Sequence, residues 1–198
     1  MKVGMIFECG PDGADVQVCG ALAERLVPGV QVAAVTLDSK PRLVRDCGKA
    51  ATALLKQGCR KVLIIWDLFP PWRTKGAKPC RREDREAIFA SLRSAGVAMK
   101  RVALICIQEE LEAWLITDGR ALSTVISTPH RPVKIRHQKR AEHVSNPKSA
   151  LERFFVQNGR PKYVDRKDAI RIVRALPDLR RLERLPTFAR FSEKLVGR

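Results

Sequence analysis

The chain has 198 residues, 45% of them hydrophobic, and carries a formal net charge of +17. That length suits one ordinary domain, or one domain with an extension, and the apolar content excludes global disorder. No apolar run reaches the ~20 residues of a membrane span, and Met1-Lys2-Val3-Gly4 lacks a signal-peptide layout, so a cytoplasmic protein without a membrane partner is expected.

Strand-like and helix-like segments alternate through the first half. Residues 3–7 read as a strand, stopped by Glu8 and the turn "CGPDG". Residues 12–27 place Val18, Leu22 and Leu26 at helical spacing and end at Pro28-Gly29. The β-branched run 30–37 is a second strand. Residues 41–57 put Leu43, Cys47, Ala51 and Leu54 on one helical face, with Gly58 as a stop. Residues 61–66, "KVLIIW", are continuously apolar, as in a strand covered on both faces. A helix over 83–95 and a fourth strand over 101–107 follow. This β-α-β-α-β-α-β order predicts an α/β fold: a parallel four-stranded, Rossmann-like sheet flanked by helices.

The second half is different. "EELEAWLITDGRAL" reads as one helix leaving the fourth strand. Residues 127–144 are polar, basic and hold Pro129 and Pro132, which predicts a long loop. Asn146-Pro147 marks a helix start, with Asn as cap and Pro at the first turn. Asp165 is expected to cap another helix, and "DLRRLERL" and "TFARFSEKL" to complete a helical tail. The predicted organisation is an α/β unit over 1–126 and a basic loop and α-helical C-terminal extension over 127–198, packed on the same domain.

Charge is uneven. Residues 1–128 hold 19 Lys and Arg against 14 Asp and Glu; residues 129–198 hold 19 against 7. Such an excess attracts polyanions, so nucleic acid (DNA or RNA) is the expected partner. The alternative is a plainly solvated surface. Arg73, Lys75, Lys78, Arg81 and Arg82 form a basic rim after the third strand. Lys134, Arg136, Lys139, Arg140 and Lys148 extend the basic surface beyond it. Trp66 and Trp114 read as core, and Trp72 as exposed and able to stack on bases. The six cysteines lack zinc-ligand spacing and read as reduced, mostly buried thiols. The three histidines share one polar segment without metal-holding spacing.

Three apolar runs end in acids: Glu8, Asp67, and Glu109-Glu110 after Gln108. In a parallel sheet these positions share one edge, where doubly wound folds bind ligands. If strands one, three and four are neighbours, the acids converge and require protons or cations. Hard oxygen donors favour Mg²⁺ or Mn²⁺. The competing reading makes each acid an ordinary helix N-terminal residue. "ECGPDGAD" lacks both the P-loop and the dinucleotide-binding glycine patterns, and its three acids oppose a bound phosphate unless a cation intervenes.

These residues resemble the Toprim superfamily of topoisomerases, primases and OLD-type nucleases. Glu8 and Asp12 in "FECGPD" match its Glu-Gly-x-x-Asp-like turn, with Cys9 in place of the glycine. Asp67 matches the first acid of its Asp-x-Asp motif, and Phe69 stands where the second belongs. "CIQEELEAWLITD", "SNPKSALERFF" and "TFARFSEKL" are similar to an uncharacterised bacterial family of unknown function within that superfamily, often encoded near ATPases of phage-defence type. The resemblance implies a Toprim-like sheet and an Mg²⁺- or Mn²⁺-dependent nuclease or phosphoryl-transfer enzyme acting on nucleic acid, in phage defence with an ATPase partner. It implies Glu8 as general acid/base or metal ligand and Asp67 as metal ligand. Glu109, Glu110 or Glu112 would replace the missing aspartate, unless Glu112 faces the helix surface. The alternative is a catalytically decayed module that binds nucleic acid or a partner.

Overall fold

All four strands pair in one parallel sheet. The strands are β1 (Lys2–Phe7), β2 (Gln31–Thr36), β3 (Lys61–Asp67) and β4 (Val102–Ile107), in the order β2-β1-β3-β4. The computed structural model describes residues 1–71 and 78–197. Arg73 and Lys75 of the basic rim, and Trp72, read above as exposed, lie outside the described residues. Helices α1 (Ala14–Leu26), α2 (Lys40–Lys56) and α3 (Arg81–Ser94) connect the strands.

Alternation along the strands explains the two layers. Val3, Met5, Phe7, Leu63, Ile65, Ile105 and Ile107 face one side. Ile6, Val62, Ile64, Trp66, Leu104 and Cys106 face the other, and successive strand side chains point to opposite faces. The second face is covered by α2 and α3. The first is covered by α1 and by everything after β4. The central strands are buried on both faces, which is why their sequences read as unbroken apolar runs.

The segment after β4 forms two helices rather than the one expected: α4 (Glu112–Leu115) and α5 (Gly119–Ile126). Asp118 causes the break. Its backbone is extended, and its side chain accepts the Arg120 N–H at 2.8 Å, starting a new helix. At Gly119 the following loop comes so close that an added Cβ would lie 2.3 Å from the Ile135 carbonyl oxygen.

Residues 127–144 are irregular apart from an isolated Thr128–Arg131 bridge and a short 3-10 turn at Ala141–His143. Helices α6 (Pro147–Gln157), α7 (Asp165–Ala175) and α8 (Pro186–Val196) follow. Asn146 caps α6 as expected, its side chain accepting the Ser149 N–H. Asp165 is not the cap of α7. Val164 holds that position and Asp168 accepts its N–H, which leaves the Asp165 carboxylate for a different partner.

Trp114 locks the tail down. It is fully buried, lies 5.1 Å from Phe188 and 5.6 Å from Phe191 between ring centres, and donates its indole N–H to Thr187. Burying each such ring contributes roughly 1.5–3 kcal/mol to holding α8, and the buried Glu142 carboxylate accepts the Thr187 N–H at its start. Among the described residues no helix is long and apolar enough to cross a membrane. All six cysteines are free thiols, and only Cys9 and Cys80 are not fully buried.

Candidate active site at the carboxyl edge of the sheet

The strand order makes β1, β3 and β4 neighbours, and their carboxyl ends carry the acids. Asp67 closes β3 opposite Ile107, the last residue of β4. The ladder runs on past the sheet: Leu68 donates to the Ile107 carbonyl and Phe69 to that of Glu109. Glu109 has a left-handed backbone, φ 62°, which turns the chain out of the strand.

Glu8 and Asp67 meet directly. One oxygen of Glu8 accepts the Asp67 backbone N–H at 2.9 Å. The other Glu8 oxygen, Oε2, and Asp67 Oδ1 are both sealed from solvent and lack a hydrogen-bond partner among the described residues. Buried polar atoms are rarely left so, and each such vacancy costs about 1–3 kcal/mol.

The turn after β1 brings in a third acid. Gly13 closes it by donating to Gly10, and its Cα packs so tightly that an added Cβ would lie 2.5 Å from the Cys9 sulfur. This curl sets the first turn of α1 over the strand ends, where Asp15 stands beside the Cys9 thiol. Asp12, the acid matched to the Toprim turn, is exposed instead and faces Arg166 at 3.8 Å.

Two more acids come from the β4 exit. Glu112 is buried, not on the helix surface, and accepts the Tyr163 hydroxyl at 3.3 Å. Glu110 accepts the Lys148 backbone N–H at 3.4 Å, and the Lys148 ammonium pairs with Asp165 at 2.8 Å. Lys148, assigned above to nucleic acid, thus stands inside the acid cluster.

Crowding and burial shift the acids upward. Burial pushes Glu8 up to about 7, with Lys40 and the Asp67 N–H pulling it down and Asp15 and Asp84 adding to the rise. Asp67 rises well above the carboxylate range, through burial and then the charges of Asp15, Glu8, Glu112 and Glu110. Asp15 is raised by burial and by Asp165, against the Cys9 thiol and Lys148. Burial also lifts Glu112 to about 7, while Lys148 lowers it and Glu110 and Asp15 raise it. The buried Lys40 donates to the carbonyls of Leu68 (3.0 Å) and Pro70 (2.8 Å), pinning the chain after β3. Beside Glu8 this leaves a cavity of about 370 Å³ lined by Ser39, Lys40, Pro41, Pro70 and Pro71.

The donor set fits a hard cation only in a sparse form. Two neighbouring acids, each with one unpartnered buried oxygen, are the donors available to Mg²⁺ or Mn²⁺, which bind through one or two carboxylates and keep waters or substrate oxygens. Among the described residues no three His, Cys, Asp or Glu side chains are grouped to hold an ion by themselves. Phe69, standing where a second aspartate is expected, points a partly exposed ring out of the loop, with 37% of its surface accessible.

Of the basic residues, Lys78 and Arg82 are exposed, and Arg82 pairs with Glu86. Arg81 reaches the end of β4, donating to Gln108 at 2.8 Å. Lys134, Arg136, Lys139 and Arg140 are exposed on the loop 127–144. Sequence reasoning missed Asp15, Tyr163 and Asp165 as members of the cluster. Asp15 had a visible signal, an acid at the start of an amphipathic helix directly after the strand-end turn; the others had none.

No family model, curated protein or solved structure matches this chain.

Proposed function

We propose that the carboxyl edge is the centre of a divalent-cation-dependent phosphoryl-transfer enzyme, a nuclease acting on DNA or RNA. The observation that carries this reading is the Glu8–Asp67 pair, joined by one backbone hydrogen bond and left with one sealed, unpartnered oxygen each. Groups with shifted protonation collected at a strand-end edge are what acid–base chemistry requires. Glu8 is a cation ligand in this reading: burial raises its pKa to about 7 in the ion-free protein, so Oε2 takes a proton when no ion is bound and gives it up when one is. Asp67 and Glu8 would hold Mg²⁺ or Mn²⁺, with Glu110, whose charge acts on Asp67, and Glu109 supplying further oxygens. A bound ion supplies positive charge against the phosphoryl oxygens. Lys40 fixes the loop that frames the site, and Lys148 keeps Glu112 and Asp15 from rising further.

A second reading has a specific basis. Phe69 in place of an acid, and the lack of a three-acid group among the described residues, favour a decayed module that binds nucleic acid or a partner without cutting it. Incubating end-labelled single- and double-stranded DNA and RNA with Mg²⁺ or Mn²⁺ separates the two. The enzymatic reading expects cation-dependent cleavage, reduced at least ~100-fold by Glu8→Gln and by Asp67→Asn. Cleavage that persists in either variant removes the assigned site, and no cleavage by wild type leaves the binding module.

A further inference from the structure

Among the described residues the outer flank of β4 pairs with no strand, and it is not bare. Helix α3 overhangs it from one face of the sheet and α8 from the other, leaving a groove of about 490 Å³. Six cations line it: Lys61, Arg85, Lys100, Arg101, Arg190 and Lys194. A second depression of about 310 Å³ shares Arg85, Leu104 and Arg190 with the first and continues to Arg81. The two form one track beside β4, running from the amino end of the strand to Gln108, where Arg81 is bonded. At ~3.3 Å per residue the edge from Arg101 to Gln108 spans roughly 23 Å.

Most of these cations are fixed by contacts within the chain, and among the described residues only Lys194 has a carboxylate partner in the groove. Arg190 donates to the Leu104 carbonyl at 2.9 Å, and Arg101 to those of Cys59 and Arg60. The Lys61 ammonium donates to the Lys194 carbonyl. Among the described residues only Glu193 brings a carboxylate to the groove, and it pairs with its neighbour Lys194. Burial first, and then the charges of Arg60 and Lys194, lower the Lys61 pKa. A polyanion in the groove relieves that repulsion.

The groove wall is also partly apolar. The Arg85 guanidinium lies 5.4 Å from the Phe89 ring centre, and Met99 is exposed beside it. Unpaired bases can pack on such a surface, whereas a duplex keeps its base faces inside. An added peptide strand is disfavoured, because Arg190 already occupies the Leu104 carbonyl on the open edge.

We propose that this groove binds the phosphodiester backbone of a single-stranded nucleic acid and leads it along β4 toward the carboxyl edge. Only the direction of travel rests on reading that edge as a phosphodiester centre; the binding does not.

The test is fluorescence anisotropy of fluorescein-labelled dT20 in EDTA at 50 mM salt, so that cutting plays no part. Arg85→Glu with Lys100→Glu is compared with Lys49→Glu and Lys56→Glu on helix α2, outside the groove lining, which changes net charge equally. The groove double is expected to weaken binding at least ~30-fold and the control less than ~5-fold. A milder pair, Arg85→Gln with Lys100→Gln, is expected to lose about fivefold and covers a folding failure of the reversal. Equal losses in groove and control variants overturn the proposal. So does better competition by a duplex of the same length, or by poly-glutamate, than by unlabelled dT20. Groove-specific binding without any cleavage by wild type refutes the enzymatic reading alone.

Discussion

The carboxyl edge of the sheet and the flank of β4 both crowd like charges, with opposite signs and opposite settings. At the edge, Glu8, Asp15, Asp67 and Glu112 crowd under burial, and all four carboxyls move up in pKa. On the flank, cations crowd in an open groove, and burial, then the charges of Arg60 and Lys194, lower the pKa of Lys61. Water makes the difference. Buried like charges must take up protons or a cation, because the low dielectric makes their repulsion expensive. Hydrated ones stay charged and await a counter-ion. The first arrangement suits chemistry and the second suits holding a polyanion.

The largest expected effect breaks or sharpens the flank side of this comparison. If four to six phosphates are neutralised, raising salt from 50 to 200 mM should weaken dT20 binding roughly 50- to 300-fold. A flat response in a salt titration of the anisotropy signal removes the phosphate contacts.

A smaller effect tests the edge. A carboxyl whose pKa is raised by folding binds more protons folded than unfolded. Stability from Glu8 and Glu112 is therefore complete below about pH 4.5 and is lost as pH rises through about 7. Glu8→Gln and Asp67→Asn remove that loss. At pH 8 without divalent cation each is expected to be more stable than wild type by on the order of 1–3 kcal/mol. For a chain of this size that is a gain of roughly 2–4 °C in Tm per kcal/mol. At pH 4 the Glu8→Gln difference should nearly vanish. Thermal unfolding at both pH values checks this; equal or lower stability of both variants at pH 8 contradicts the shared burial of charge.

Much of the edge was legible in the sequence, because β1 and β3 are buried on both faces and so advertise themselves as apolar runs that stop at an acid. Glu8 and Asp67 follow from that pattern and from parallel pairing. The rest depends on packing that no local pattern encodes. Asp15 replaces Asp12 only because the turn at Gly13 curls over Cys9. Lys148, Tyr163 and Asp165 arrive on or beside helices that cover the α1 face, far along the chain. The split at Asp118 hid in a sequence with good helical spacing, since one side-chain cap outweighed the periodicity. The groove was invisible for the same reason as the outer acids. Its six cations come from β3, α3, the turn before β4, and α8, and nowhere form a run.

Mn²⁺ binding, followed by electron paramagnetic resonance at pH 8 without nucleic acid, tests the shared acidic centre most directly. One bound ion per chain is expected, lost in Glu8→Gln and in Asp67→Asn and kept when Arg85 and Lys100 are reversed. Binding that survives in both acid variants, or an absence of bound Mn²⁺ in wild type, contradicts a cation-holding site at the carboxyl edge.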